Sequence, residues 1–64
     1  MNIKKIGTAW RYQDDHSTLY VIKTHRTYAR WAVAHRVNNE WVTLGTFHRL
    51  KDAKADAHAL LANN

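Results

Sequence analysis

Residues 28–61, YARWAVAHRVNNEWVTLGTFHRLKDAKADAHALL, read as two adjacent strands followed by one helix. In the first strand Trp31, Val33, His35 and Val37 fall on one face, and Arg30, Ala32, Ala34 and Arg36 on the other, the period of two that a half-buried strand requires. Asn38-Asn39 predicts the turn, because Asn tolerates the left-handed backbone that tight hairpins demand. The next strand, Glu40 to Phe47, then places Val42 and Leu44 on one face and Trp41, Thr43 and Gly45 on the opposite one. From Leu50 to Ala62 the alanine-rich sequence has high helix propensity, and Leu50, Ala53, Ala57, Leu60 and Leu61 form an apolar stripe at three- and four-residue spacing. Its start is weakly signalled, since neither His48 nor Arg49 is a favoured N-cap, although Asp52 suits the positive end of the helix dipole. Only one sheet face can meet this helix. The other keeps Tyr28, Arg30, Arg36 and Trp41.

Working outward, TLYVIKT at Thr18 to Thr24 is dense in β-branched and aromatic residues and predicts a preceding strand, with His25-Arg26-Thr27 turning into the next. Met1 to Ser17 is mixed. Ile3, Ile6, Trp10 and Tyr12 are interrupted by the loop-like Gln13-Asp14-Asp15-His16-Ser17, and this segment is left loosely assigned, with part of it free to pair as a short strand. No proline, repeat or low-complexity tract marks a linker. The expectation is one ββ(β)α domain over residues 1–64, of α+β class, with a three-stranded antiparallel sheet packed against a single C-terminal helix.

A chain of 64 residues builds one small core, and without cysteine it has no disulfide, thiolate or Cys-ligated zinc to reinforce it. Ten Lys and Arg against five Asp and Glu give a net charge of +5, spread along the chain rather than gathered in a tail. That balance favours polyanions, nucleic acid before acidic membrane. No apolar run is long enough to span a bilayer, and the apolar part of MNIKKIGTAW is too short for a secretory signal, so a cytoplasmic location is expected.

The segments Arg30-Trp31-Ala32-Val33-Ala34-His35-Arg36 and Trp41-Val42-Thr43-Leu44-Gly45-Thr46-Phe47, followed by an alanine-rich helix, resemble the AP2/ERF domain and the related arm-binding domains of tyrosine integrases. The likeness covers about half the chain. It implies a three-stranded sheet laid into the DNA major groove and backed by a helix that reads no bases. Trp31 would be the family's core aromatic, Arg36 the basic residue closing that strand, Tyr28 the exposed aromatic before it and Arg26 one arginine of the first strand. The third strand departs from the pattern, with Trp41 at the expected arginine and Thr43 at the expected tryptophan. Ala34 stands where a glutamate is expected, and Thr24 at a further arginine.

Without any family, Arg26, Arg30 and Arg36 offer planar donors for phosphate or guanine edges, and Lys4, Lys5 and Lys23 extend the contact to the nucleic-acid backbone. The reading is double-stranded DNA binding through the exposed sheet face by Arg26, Tyr28, Arg30, Arg36, Trp41 and Thr43, in phage or bacterial regulation or in recombination. Solvated charge is the plain alternative for the cations, and Trp10 folding back over the same face is the plain alternative for Trp41. The functional rival is a small interaction inhibitor or adaptor, with Tyr20, Tyr28 and Trp41 anchoring an acidic protein partner. A third possibility is RNA binding by stacking on the sheet. Homodimerisation through an uncovered sheet edge is also compatible with so small a core. His16, His25, His35, His48 and His58 lack metal-ligand spacing, and Asp14, Asp15, His16 and Ser17 read as a loop rather than a catalytic cluster. No enzyme activity, cofactor or metal is expected.

Overall fold

The computed structural model describes residues 1–25, 27 and 29–63. Five strands, β1 (Asn2–Ile6), β2 (Ala9–Gln13), β3 (Thr18–Lys23), β4 (Trp31–Val37) and β5 (Glu40–Phe47), precede one helix, α1 (Leu50–Ala62). They form a single antiparallel meander in the order β1-β2-β3-β4-β5. The fold is therefore α+β with a five-stranded sheet, which corrects the three-stranded expectation. The two additional strands come from the segment left loosely assigned. Gly7 takes a left-handed backbone, φ 61°, in the two-residue turn between β1 and β2, and Trp10 and Tyr12 alternate with Arg11 and Gln13 along β2. Those cues were present in the sequence. They were obscured because β1 is exposed at every position and so lacks the apolar alternation that marks a strand.

Cross-strand partners share a face, so the register sorts the side chains. Trp10 pairs with Val21, Val21 with Val33 and Val33 with Gly45, and this is the face that α1 covers. The core joins Tyr12, Leu19, Val21 and Val33 to Ala53, Ala57 and Leu61, with Trp10, Trp31, Phe47, Leu50 and Leu60 packed around it. Alanines at the contact let the helix axis lie close to the sheet. Burial pushes the Tyr12 phenol up from its ordinary range, since an ionised phenolate would be poorly solvated there. The helix packs on β2 to β5 and leaves β1 outside. Its N-terminus has no side-chain cap at Arg49, in keeping with the weak start signal.

The β4–β5 turn is built on Asn38 and Asn39, with φ 52° and 67°, so both use the left-handed freedom for which they were singled out. Beyond it the register shifts once. Val33 faces Gly45 but Ala34 faces Thr43, leaving Leu44 as the extra residue of a β-bulge. Strict alternation had put Gly45 with Trp41 and Thr43, and Leu44 in the core beside Trp31. The bulge instead brings Gly45 and Phe47 to the helix side and leaves Leu44 45% exposed. Phe47 needs this change of phase, because without it the ring would lie on Trp41's side of the sheet. Gly45 suits the crowded position: an added Cβ would lie 3.3 Å from the Phe47 ring and 3.8 Å from an Asp56 carboxylate oxygen.

Helix cover dictates where truncation matters. Val33→Ala should cost about 1.5–3 kcal/mol, because the side chain is fully buried between sheet and helix. Ile3→Ala, on a strand the helix does not reach, should stay within about 0.5 kcal/mol. Urea unfolding of both variants checks this, and comparable losses would contradict the assignment of β1 to an uncovered edge.

Candidate nucleic-acid interface

The uncovered face is assembled by register. Lys4 pairs with Arg11, Arg11 with Tyr20, Tyr20 with Ala34 and Ala34 with Thr43, which makes one row of side chains across all five strands. Arg36 pairs with Trp41 in the next row. Tyr20 and Trp41 stand on strands separated by β4, so their backbones are roughly 9–10 Å apart. Their rings nevertheless meet edge to face, with centroids 5.0 Å apart and an interplanar angle of 87°. They can do so because β4 contributes only Ala34 beneath them, and that alanine is 0% exposed although no helix covers it. The Arg36 guanidinium lies 5.2 Å from the centre of the Trp41 ring, within cation–π range, and its Nη2 is 3.5 Å from the Asn39 carbonyl oxygen it faces.

Trp41 keeps 46% of its surface exposed despite both neighbours. Trp10 does not fold over it: Trp10 lies on the helix side, where Lys54 Nζ is 3.5 Å and Lys5 Nζ 5.5 Å from its ring centre. The strand positions of the open face are Asn2, Lys4, Ile6, Ala9, Arg11, Gln13, Thr18, Tyr20, Ile22, Ala32, Ala34, Arg36, Trp41, Thr43 and Thr46, and none is acidic. Its cations share that surface with no carboxylate at a strand position.

The residues singled out from sequence are thus partly gathered and partly dispersed. Arg36, Trp41 and Thr43 sit together on the open face, with Lys4 at its far edge. Lys5 shares the side of Trp10, and Lys23 that of Trp31. Arg30 is at the opposite end of β4 from Arg36, in a shallow cleft with Lys23, Thr24, His25 and Thr27. There its carbonyl accepts the Thr24 backbone N–H at 2.7 Å, and the Thr24 hydroxyl donates to the Ala29 carbonyl. Arg26 and Tyr28 lie outside the described residues. Two members of the open face went unrecognised as part of a basic surface. Arg11 was hidden in the unassigned segment, although Trp10 and Tyr12 flank it at strand spacing. Tyr20 lies in a strand whose sequence alone does not show that it adjoins Arg11, its partner across β2 and β3.

The Asp14-Asp15-His16-Ser17 segment is a turn. Asp14 Oδ1 accepts the backbone N–H groups of His16 at 2.9 Å and Ser17 at 2.7 Å, and these bonds hold its carboxyl below the usual range. A groove of about 570 Å³ is lined from both faces of the sheet, by Thr18, Tyr20 and Arg36 of the open face together with His16, Leu19, His35, Leu44 and Leu60. Among the described residues no three His, Asp or Glu side chains gather as a metal ion would require. No described helix is long and apolar enough to cross a membrane.

No family model, curated protein or solved structure matches the chain. The resemblance to AP2/ERF and integrase arm-binding domains is therefore set aside. It required a three-stranded sheet where there are five strands, and it matched residues around a bulge that changes their faces. The expectation of a phage or bacterial regulator of that type goes with it.

Two measurements test this geometry. A double-mutant cycle on Tyr20→Ala and Trp41→Ala should show coupling of about 0.5–1.5 kcal/mol, the range of an edge-to-face pair, and additive losses would mean the rings do not meet in solution. The Asp14 turn predicts a pH dependence. Because the folded carboxyl is held below its unfolded value near 3.9, its stabilisation is complete above that pH and is lost as the pH falls through the folded value. The Tm advantage of the unaltered protein over Asp14→Ala should accordingly narrow below about pH 4, whereas a constant gap would deny the carboxylate this role.

Proposed function

We propose that the protein binds nucleic acid on the helix-free face of its sheet. The observation that carries this reading is the Tyr20–Trp41–Arg36 cluster, beside Arg11 and Lys4 on a face whose strand positions include no acidic residue. A half-exposed tryptophan between a tyrosine and an arginine is a surface on which a base or sugar can lie, and flanking cations neutralise the accompanying phosphates. Elementary electrostatics supports the same ligand, since the chain carries twice as many basic as acidic residues. A second reading, docking of a protein partner, has its own support in the exposed Val37, Val42 and Leu44 around the β4–β5 hairpin and the groove beside Leu60. It leaves the basic row from Lys4 to Arg11 unused, and for that reason it ranks second.

Charge neutralisation on one face alone has a measurable signature. Arg11→Ala and Arg36→Ala should each lower the slope of log K against log salt by about 0.7–0.9, the value of one phosphate contact, when binding to a mixed pool of oligonucleotides is titrated. Lys5→Ala should leave the slope unchanged, because Lys5 lies on the helix side against Trp10. A loss for Lys5→Ala equal to the other two would place the contact on the wrong face, and no binding at low salt would favour the protein partner.

A further inference from the structure

We infer that the ligand of this face is a single strand, with bases stacked at Tyr20 and Trp41 and the sugar-phosphate backbone crossing the sheet toward Arg11 and Lys4. The inference rests on the reading of the open face as a nucleic-acid site and specifies what that site selects. Two physical facts decide it. First, five strands spaced by about 4.8 Å put the outer strand axes roughly 19 Å apart, whereas the B-DNA major groove is about 12 Å wide. The face cannot lie flat in that groove. Second, the bases of a duplex are stacked on one another and present only their edges, so an aromatic platform finds no base face to cover. An unpaired strand exposes both faces of each base and can splay them onto side-chain rings and guanidinium planes.

The layout of the face matches such a ligand. Ala34 and Ala32 keep β4 low between β3 and β5, and the paired rings of Tyr20 and Trp41 rise over Ala34 as a ridge. Arg36 borders this ridge on one side, through its stack on Trp41. On the other side Arg11 directly adjoins Tyr20, and Lys4 adjoins Arg11. Arg36, two residues from Ala34 on β4, borders the pair along the strand direction, while Arg11 and Lys4 continue from Tyr20 across β2 and β1, where a backbone threaded over the ridge brings its phosphates. Thr43 and Thr46, exposed on β5, supply hydroxyls beside the same ridge without adding charge or bulk.

The test is fluorescence anisotropy at low salt with three labelled probes of about twelve nucleotides, within the range such sites occupy: oligothymidylate, oligouridylate and a mixed-sequence DNA duplex. At least one homopolymer should bind about tenfold or more tightly than the duplex, the difference expected for one base stack. The better homopolymer identifies deoxyribose or ribose as the preferred backbone. Trp41→Leu, which keeps apolar bulk, should weaken single-strand binding by roughly five- to 150-fold with circular dichroism unchanged, and Trp41→Phe should recover most of it. Duplex binding equal to or tighter than both homopolymers would overturn the single-strand assignment. If Arg11→Ala and Arg36→Ala still weakened that duplex complex, the open-face reading would stand without it. No binding of any probe would overturn both.

Discussion

Among the described residues, thirteen residues of helix are the cover that this five-stranded sheet receives, and they cover it on one side. A strand with one face against apolar neighbours and one face in water must sort its residues by alternation, and the sorting propagates through the register from strand to strand. Val21 and Val33, paired across β3 and β4 and fully buried under Ala53 and Ala57, are where that constraint is tightest. No described helix covers the opposite face. The candidate site is thus a direct consequence of how the core is closed.

What the open face does with its freedom depends on side-chain size. Ala34 lies on the face away from the helix, yet it is buried, because Tyr20 on β3 and Trp41 on β5 meet over it. A larger residue at 34 would fill the space in which Tyr20 and Trp41 meet. The same small side chain that contributes little to the core therefore determines whether two aromatics, far apart in sequence, become one platform. Charge follows a similar logic: acidic residues are placed in turns, at the hairpin end and on the helix, whereas Lys4, Arg11 and Arg36 remain on the open face.

The bulge at Leu44 reconciles two demands that an unbroken β5 could not meet. Trp41 and Phe47 have the same parity in sequence, so a regular strand would send both rings to one side. One extra residue lets Phe47 join the core while Trp41 stays outside, with Leu44, the extra residue, left partly in water. Gly45, immediately after the extra residue, accepts the close approach of the Phe47 ring and Asp56 that this arrangement creates.

The alternation of Trp31 to Val37, the Asn38-Asn39 turn and the alanine-rich stripe of Leu50 to Ala62 were legible in the amino-acid sequence, because each depends on neighbours within a turn or a strand. The exposure of Arg36 and Trp41 followed from the same local phase. Strand β1 was not legible, since an edge strand exposed at every position carries no apolar period, and Arg11 was missed with the segment that contains it. The bulge was equally hidden: which residue is extra is decided by how Phe47 and the helix pack, not by any property of Leu44. The Tyr20–Trp41 contact and its alignment with Arg11 and Lys4 come from pairing registers that span most of the chain. Such registers are set by burial summed over the whole sheet, and so only the tertiary structure could decide them.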